Sequence, residues 1–167
     1  MKVNIVEGLL GYSSNKKFSL KSITSQTERQ LKSAGSFIPI LGARVYYIDN
    51  LGRTSGQKSN NVEVILGAGY HYTFVLKKQF YASLGVTPGF GYISTKLTTR
   101  GQLGSPDDIV TSSDAPIIRL EGRGGLGYNG EKFFAGMLME IRDSSYTQAN
   151  TTAVNTDTRV YYQIFVG

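Results

Sequence analysis

The sequence predicts an all-β chain that forms an antiparallel transmembrane β-barrel of about eight strands. Three observations lead to this fold class. Apolar and polar residues alternate with a period of two from Asn61 to Lys96. The second face of these strands carries glycine, hydroxyl and charged residues rather than a second apolar set. Tight and long connections also alternate along the chain, as outer-membrane barrels require.

The stretch from Asn61 to Lys96 predicts two long strands, which are joined by a turn at residues 77–79. Residues of even number are apolar or aromatic in both halves, as in Leu66 and Leu84. A soluble sandwich would bury this face against a second apolar face. A polar second face instead indicates a barrel whose apolar side chains meet lipid and whose small or polar side chains line the lumen.

Five further strands follow from the same alternation. They are predicted at Val3 to Tyr12, Phe37 to Ile48, Pro116 to Tyr128, Phe133 to Arg142 and Arg159 to Gly167. Asn129-Gly130 is a strong hairpin signal, so a tight turn is predicted at 129–132. Long extracellular loops are predicted at 49–60, 97–115 and 143–158, and the tight turns are then periplasmic. These seven predicted strands are an odd number, whereas such barrels have an even number. An eighth strand that closes the barrel could come from residues 17–25, from sequence before Met1 or from a partner chain.

Outward aromatic residues fall near both ends of the predicted strands, as expected of side chains at the two lipid–water interfaces. These interface aromatics are Tyr12, Phe37, Phe74, Phe80, Tyr128 and Phe133 towards the tight turns, and Tyr47, Tyr92 and Tyr162 towards the long loops. A tetrad of glycine, apolar residue, glycine and tyrosine recurs at 67–70, 89–92 and 125–128. Inward glycines in these tetrads would relieve crowding in a narrow barrel.

Inward positions carry a balanced set of charges, which we predict to form a salt-bridged lumen network because isolated buried charges are costly. Its predicted members are Glu7, Arg44, Glu63, His71, Arg119, Glu121, Arg123, Glu140 and Arg142. We favour a solid plug, since about eight strands leave room only for side chains. A polar pore or a site for an anionic ligand is the alternative.

Residues 17–35 are polar and lack a clean period of two. They fit a short strand, a helical turn from Ser25 to Lys32, or a segment folded into the lumen. We expect 25–36 to line the lumen or to contact a partner. Within it, Gln26, Arg29, Gln30 and Lys32 are predicted to pair with the inward carboxylates Glu7, Glu63 or Glu140.

Composition limits the possible chemistry. The chain has no cysteine and one histidine, so thiolate and multi-histidine metal sites are excluded and no cofactor is expected. The net charge of +6 is dispersed, which argues against nucleic-acid binding. The N-terminal residues do not resemble a secretory signal peptide. The glycine pattern at 122–127 matches a dinucleotide fingerprint, but a strand follows it where that motif needs a helix.

The segments from Lys16 to Phe37 and from Leu66 to Tyr92 resemble a family of Bacteroidota outer-membrane β-barrel proteins that is filed as a domain of unknown function. The resemblance implies a Gram-negative outer-membrane location and a larger barrel in complete members. It implies no activity. We therefore expect one barrel domain over 1–167, incomplete at one or both ends.

We expect this barrel to be non-enzymatic, with a structural, accessory or small-pore role, and to contact outer-membrane lipid and another outer-membrane protein or lipoprotein. Two alternatives stay open. The chain could be an outer-membrane lipid hydrolase or acyltransferase that uses His71 beside Thr73. It could also be a soluble barrel that binds a hydrophobic ligand, which would require the two faces to be exchanged.

Overall fold

The computed structural model describes residues 2–24, 28–51, 56–101, 108–147 and 154–167. Within them the chain forms seven strands and one short helix. In chain order these are β1 (Lys2–Gly11), α1 (Lys21–Thr24), β2 (Ala34–Leu51), β3 (Gly56–Leu76), β4 (Phe80–Thr99), β5 (Ile109–Asn129), β6 (Phe134–Thr147) and β7 (Val154–Val166).

The strands lie in chain order in one antiparallel sheet, each paired with its sequence neighbours. Tight turns set the register of the central strands. Leu76 pairs with Phe80 across the β3–β4 turn, and Phe80 pairs with Tyr128 on β5. At the first of these turns, Lys77 and Lys78 have φ angles of 51° and 57°, and the Gln79 amide donates to the Leu76 carbonyl. Two consecutive positive φ angles are the geometry of a type I′ hairpin turn.

The sheet is strongly curled into a half-barrel. Arg142 on β6 contacts Glu7 on β1 at 2.8 Å, although five strand spacings separate these two strands in the sheet. In a flat sheet five spacings amount to roughly 24 Å. The inward face is therefore concave, and side chains from both halves of the sheet meet across it. No ladder joins β1 to β7 within the described residues, so both are edge strands.

The two faces of the curled sheet differ in chemistry. Outward leucines are largely exposed, with Leu66 at 65%, Leu84 at 67% and Leu126 at 58% of their accessible surface. Inward charges are buried, with Glu63 at 1% and Arg119 at 4%. The alternation predicted from the sequence therefore has the predicted orientation. A soluble barrel with a hydrophobic ligand inside would need its apolar face inward and its charged face outward. The described residues have the opposite arrangement.

Several strands extend beyond their predicted ends, and the predicted loops at 49–60, 97–115 and 143–158 were wrong in length. Residues 57–60 of β3 pair with 96–99 of β4, and β5 begins at Ile109. Serine, threonine and asparagine continue the backbone ladder there, beyond the apolar band that marked the strands in the sequence. Of the helical turn from Ser25 to Lys32, one of three alternatives for this region, residues 25–27 lie outside the described residues and 28–32 are not helical; a short helix lies at Lys21–Thr24 instead.

Residues 12–24 and 28–33 form what we term the inner segment, between β1 and β2, and one side chain anchors it by packing against the start of β2. Phe18 is buried against Ala34 and Ile38, with Leu20 and Ile40 at the edge of this small cluster. A second cluster of buried residues lies further along the concave face and comprises Ile65, Ile93, Ala115 and Ile117. No helix in the described part of the chain is long and apolar enough to cross a membrane.

Candidate functional site: the charged interior face

Four arginines and four glutamates project from the concave face and form what we term the interior charge network. Its members are Glu7, Arg44, Glu63, Arg119, Glu121, Arg123, Glu140 and Arg142, and each forms at least one ion pair. Three of these pairs join residues directly opposite each other on neighbouring strands: Arg44 with Glu63, Glu121 with Arg142, and Arg123 with Glu140. With four charges of each sign, the network is neutral overall.

Glu63 on β3 lies between two arginines, Arg44 on β2 and Arg119 on β5. Its Oε2 accepts from Arg44 Nη2 at 2.5 Å, and its Oε1 accepts from Arg119 Nη2. All three side chains are at most 5% exposed. Arg119 also donates from Nε to Ser144 Oγ at 3.2 Å, whereas the remaining guanidinium nitrogens of Arg44 have no hydrogen-bond partner. The Arg44 guanidinium instead lies 4.8 Å from the centre of the Tyr46 ring.

Arg142 connects the two halves of the half-barrel. Its guanidinium contacts Glu7 on β1 at 2.8 Å, Glu121 on β5 at 3.0 Å and Glu140 on β6 at 3.1 Å. Glu140 in turn binds Arg123 at 2.9 Å. Every arginine on the concave face therefore already has a carboxylate partner. The network is therefore neutralised internally, and within the described residues it leaves no unneutralised arginine cluster for an anionic ligand.

His71 lies inward as predicted, but it is not part of the ion-pair network. Its Nε2 is 2.9 Å from Thr87 Oγ1 on the adjacent strand, and the imidazole ring lies against Gly85, where a Cβ would overlap it. Thr73, the hydroxyl predicted as its catalytic neighbour, is 1% exposed and its Oγ1 has no hydrogen-bond partner. The partner of His71 is Thr87, and no carboxylate is bonded to the imidazole among the described residues.

A cavity of about 510 Å³ opens beside His71 on the concave face. Side chains of β1, β3, β4, β5, β6 and β7 line it, among them His71, Thr73, Ser83, Arg123 and Tyr161. No group of three or more histidine, aspartate and glutamate side chains suitable for a metal ion occurs within the described residues. The cavity therefore presents hydroxyls, one imidazole and a neutralised ion pair.

The inner segment is held by Gln30 rather than by ion pairs to the sheet. Gln30 is buried, its Nε2 donates to the carbonyls of Lys17 and Lys32, and its Oε1 accepts from the Ser19 amide. Arg29 Nη2 donates to the Asn129 carbonyl in the β5–β6 turn at 2.5 Å. The predicted pairing of this segment with Glu7, Glu63 and Glu140 was therefore wrong, because arginines of the sheet already occupy those carboxylates.

Of the two other predicted members of the segment, only Lys32 can be assessed, and it forms no ion pair with the network among the described residues. The Lys32 side chain is exposed and Gln26 lies outside the described residues. Glu28, which was not predicted to matter, accepts from Ser19 Oγ at 2.7 Å and pairs with Lys21 at 3.2 Å. The hydrogen bond from Ser19 and then that from Lys21 hold the pKa of the exposed Glu28 below its ordinary value.

The glycine tetrads place their glycines on the crowded concave face. A Cβ at Gly91 would overlap the Val64 carbonyl of β3, and one at Gly69 would overlap the Thr87 side chain. The outward Gly122 has no heavy atom within 4 Å of an added Cβ. Crowding on the inward side therefore requires glycine at the tetrad positions.

The predicted interface aromatics point outward. Seven are at least half exposed, while Tyr47 and Tyr128 are intermediate. Near the tight turns Phe80, Tyr128 and Phe133 form a continuous row, with ring centres 5.1 and 6.3 Å apart. We call this row the aromatic belt.

Sequence reasoning missed three polar residues of the concave face: Thr87, Ser144 and Ser36. Thr87 contacts His71, Ser144 contacts Arg119, and the Ser36 hydroxyl bonds to Ser13, Ser14 and the Asn15 amide of the inner segment. Thr87 and Ser36 have the inward parity of their strands, which could have identified them. Ser144 falls in a region predicted as loop.

Comparison with known proteins gives one family and no curated relative. The model of the family described as a domain of unknown function, DUF4421, matches residues 1–167. Comparison of the sequence with curated proteins gives no match. Among solved structures the chain is similar to that titled "Crystal structure of ferric citrate transporter FecA in the unliganded form", with 13% sequence identity and a TM-score of 0.39. That alignment covers 98% of this chain and 24% of the other, so the chain spans about a quarter of the length of that protein.

Proposed function

We propose that this chain, which belongs to the DUF4421 family, is an outer-membrane β-barrel protein of a Gram-negative bacterium of the Bacteroidota, with a structural or accessory role and no catalytic activity. One observation carries the proposal: the sheet is apolar and exposed on its convex face, and charged and ion-paired on its concave face. This is the reverse of a water-soluble protein, and it is the arrangement of a barrel in lipid.

The dimensions of the convex face support a bilayer location. On β4 the outward apolar residues run from Phe80 to Tyr92, which is 92 − 80 = 12 residue steps. At roughly 3.3 Å per residue and a tilt of about 40°, this run spans about 30 Å, the thickness of the hydrocarbon core. Exposing Leu66, Leu84 and Leu126 to water would forgo roughly 1.5–3 kcal/mol each, whereas lipid removes that cost.

The interior charge network supports a structural role over a wide pore. Each of its arginines has a carboxylate partner, and Arg142 bridges β1, β5 and β6. Mutual neutralisation holds these side chains across the concave face, so we expect little or no ion conductance through the folded protein. The runner-up within this class is a small pore, whose opening would require the network to rearrange.

The edge strands β1 and β7 support a role in which this sheet is completed by further strands. An unpaired strand edge in lipid costs several kcal/mol per unsatisfied backbone group. We therefore propose that both edges are paired in the membrane, by further strands of the same polypeptide or by another outer-membrane protein or lipoprotein. Lipid is the expected partner of the convex face, and no nucleic-acid partner is proposed.

His71 is proposed to be structural. It faces the concave side and is bonded to Thr87, whereas a lipid hydrolase needs its histidine, nucleophile and orienting group in reach of an acyl ester. Replacing His71 with alanine should leave phospholipid and lipid A turnover at background. A measurable turnover that disappears in this variant would support the hydrolase instead.

The direct test of the proposal is the behaviour of the purified protein. We expect it to require detergent and to migrate on a gel differently before and after boiling, as folded membrane barrels do. In planar bilayers the folded form should give no stable conductance steps. A protein that is monodisperse in buffer without detergent would refute the membrane location, and large regular conductance steps would refute the plugged interior.

A further inference from the structure

The net charge of the protein is concentrated at one end of the sheet. Eight basic residues and two acidic ones, all exposed, lie in the two tight turns or in the inner segment, which connects β1 to β2 at the same end of the sheet: Lys16, Lys17, Lys21, Arg29, Lys32, Lys77, Lys78 and Lys132, with Glu28 and Glu131. The difference, 8 − 2 = +6, equals the formal net charge of the whole chain. We call this surface the basic end.

The rest of the chain is neutral. The interior charge network has four arginines and four glutamates, and the remaining six basic and six acidic residues lie in sequence at or between the long strand ends opposite the tight turns. These six acidic residues are all aspartates. The basic end therefore carries the entire excess of positive charge.

The basic end lies directly beside the aromatic belt. Lys77 and Lys78 lie in the turn between β3 and β4, and Gln79 and then Phe80 of the belt follow them directly. Lys132 directly precedes Phe133 of the belt. The two turns are joined by a hydrogen bond from the Asn129 amide to the Gln79 carbonyl at 2.6 Å. No acidic side chain forms an ion pair with these three lysines in the described part of the chain.

The conformation of the turn indicates that lysine is not there for local stability. Asparagine and glycine are the residues that tolerate two positive φ angles, and other side chains in that region cost roughly a further 1–2 kcal/mol each by steric contact with the backbone. Lys77 and Lys78 occupy both positions at φ 51° and 57°. Their long aliphatic stems and terminal charges suit the boundary between acyl chains and headgroups, where lysines extend towards the polar region.

We propose that the basic end is a docking surface for the phosphate headgroups of anionic phospholipids in the membrane leaflet that adjoins the tight turns. The proposal rests on the proposed membrane location. The aromatic belt fixes the depth of the surface at the interface, and the three lysines beside it supply the charge that a phosphodiester recognises. An acidic protein could also bind this positive charge. Binding to such a protein would not explain why the lysines lie directly beside the aromatic belt.

The test compares two variants with the same change in charge. The basic-end variant carries Lys77→Asn, Lys78→Asn and Lys132→Gln, and asparagine is used at the turn because it tolerates positive φ. The control variant carries Lys58→Asn, Lys96→Asn and Lys2→Gln from the neutral end. Each is folded in neutral detergent, its folding is verified by heat-modifiable migration, and binding of dimyristoyl phosphatidylglycerol and phosphatidylcholine is titrated by native mass spectrometry.

We expect the wild-type protein to prefer phosphatidylglycerol, with roughly a fivefold contribution from each lysine at low salt. The basic-end variant should lose at least tenfold in affinity for phosphatidylglycerol and little for phosphatidylcholine, while the control variant stays within about twofold of wild type. Raising the salt concentration to about 0.5 M should reduce the preference of the wild type, because exposed charges are screened.

Equal losses in the two variants, or none in either, would overturn the proposal, since net charge alone or no charge effect would then explain binding. Saturable binding of an acidic peptide without any lipid preference would likewise overturn it in favour of a protein partner. Absence of a heat-modifiable form for wild type is a different failure, which would refute the membrane location itself.

Discussion

Replacing Glu63 with glutamine tests the interior charge network at its most buried point. Glu63 neutralises Arg44 and Arg119 at once, and all three side chains are at most 5% exposed. In the Glu63→Gln variant, Arg119 keeps Glu121, whose carboxylate is 3.9 Å away, but Arg44 loses its ion-pair partner while it stays buried. Removing one partner of a buried pair costs roughly 3–5 kcal/mol, so we expect a loss of this size in the free energy of unfolding.

Two further variants make this expectation specific. The double variant Arg44→Gln with Glu63→Gln restores the balance of charge, so it should be less destabilised than Glu63→Gln alone by about 1–3 kcal/mol. Asp157→Asn breaks the pair with Arg159 at 2.7 Å, where the two side chains are 44% and 27% exposed, and should cost no more than about 1 kcal/mol.

The assay is urea unfolding of each folded variant in detergent, followed by the fraction that keeps heat-modifiable migration. Comparing the three variants removes general effects of mutation. A loss for Glu63→Gln that is no larger than that for Asp157→Asn would refute the reasoning. So would a double variant that is at least as destabilised as Glu63→Gln alone, because removing Arg44 would then bring no relief.

Three other perturbations follow from single positions. Gly91→Ala places a Cβ against a backbone carbonyl of the neighbouring strand and should lower the free energy of unfolding by roughly 1–3 kcal/mol in the same urea assay. Gly122→Ala has open space around the added Cβ and should change it by no more than about 0.5 kcal/mol. Equal effects of the two substitutions would contradict crowding on the concave face. Lys77→Asn with Lys78→Gly should raise the free energy of unfolding by about 1–2 kcal/mol by relieving two positive φ angles, and no gain would mean that the turn is not type I′. Gln30→Ala leaves buried backbone groups of the inner segment unpaired, at a cost of roughly 1–3 kcal/mol. Amide hydrogen exchange in residues 17–33 should therefore become at least about fivefold faster, while exchange in β3 and β4 should be unchanged. Uniform acceleration of exchange would contradict a local role of Gln30.

The faces of the strands could be predicted because the parity of a residue along a strand determines its face. Once Leu66 and Leu84 point outward, Glu63 and Thr87 must point inward, since side chains alternate along a strand. The faces are local features and follow from residues close together in sequence. The register of β5 on β6 did not follow from the Asn129-Gly130 signal, because the ladder ends with Asn129 opposite Phe134 and four residues rather than two form the turn.

Features that depend on distant residues could not be predicted in the same way. The contacts of Arg142 with Glu7 and of Arg119 with Glu63 cross strands that are not neighbours, so they depend on how strongly the sheet curls. The inner segment has no periodicity of its own; Phe18 packs it against β2, and Gln30 joins its two halves by hydrogen bonds. Strand ends were underestimated because polar residues continue the ladder without an apolar pattern.

The orientation of the sheet in lipid can be measured directly, because the chain contains no tryptophan and a single introduced tryptophan is therefore the only one. Phe90→Trp places the indole on the convex face, and Tyr46→Trp places it on the concave face beside Arg44. In vesicles that contain lipids brominated on the acyl chain, we expect strong quenching of tryptophan fluorescence for Phe90→Trp and little for Tyr46→Trp. Stronger quenching for Tyr46→Trp, or none for either variant in a folded protein, would contradict a sheet whose convex face meets lipid.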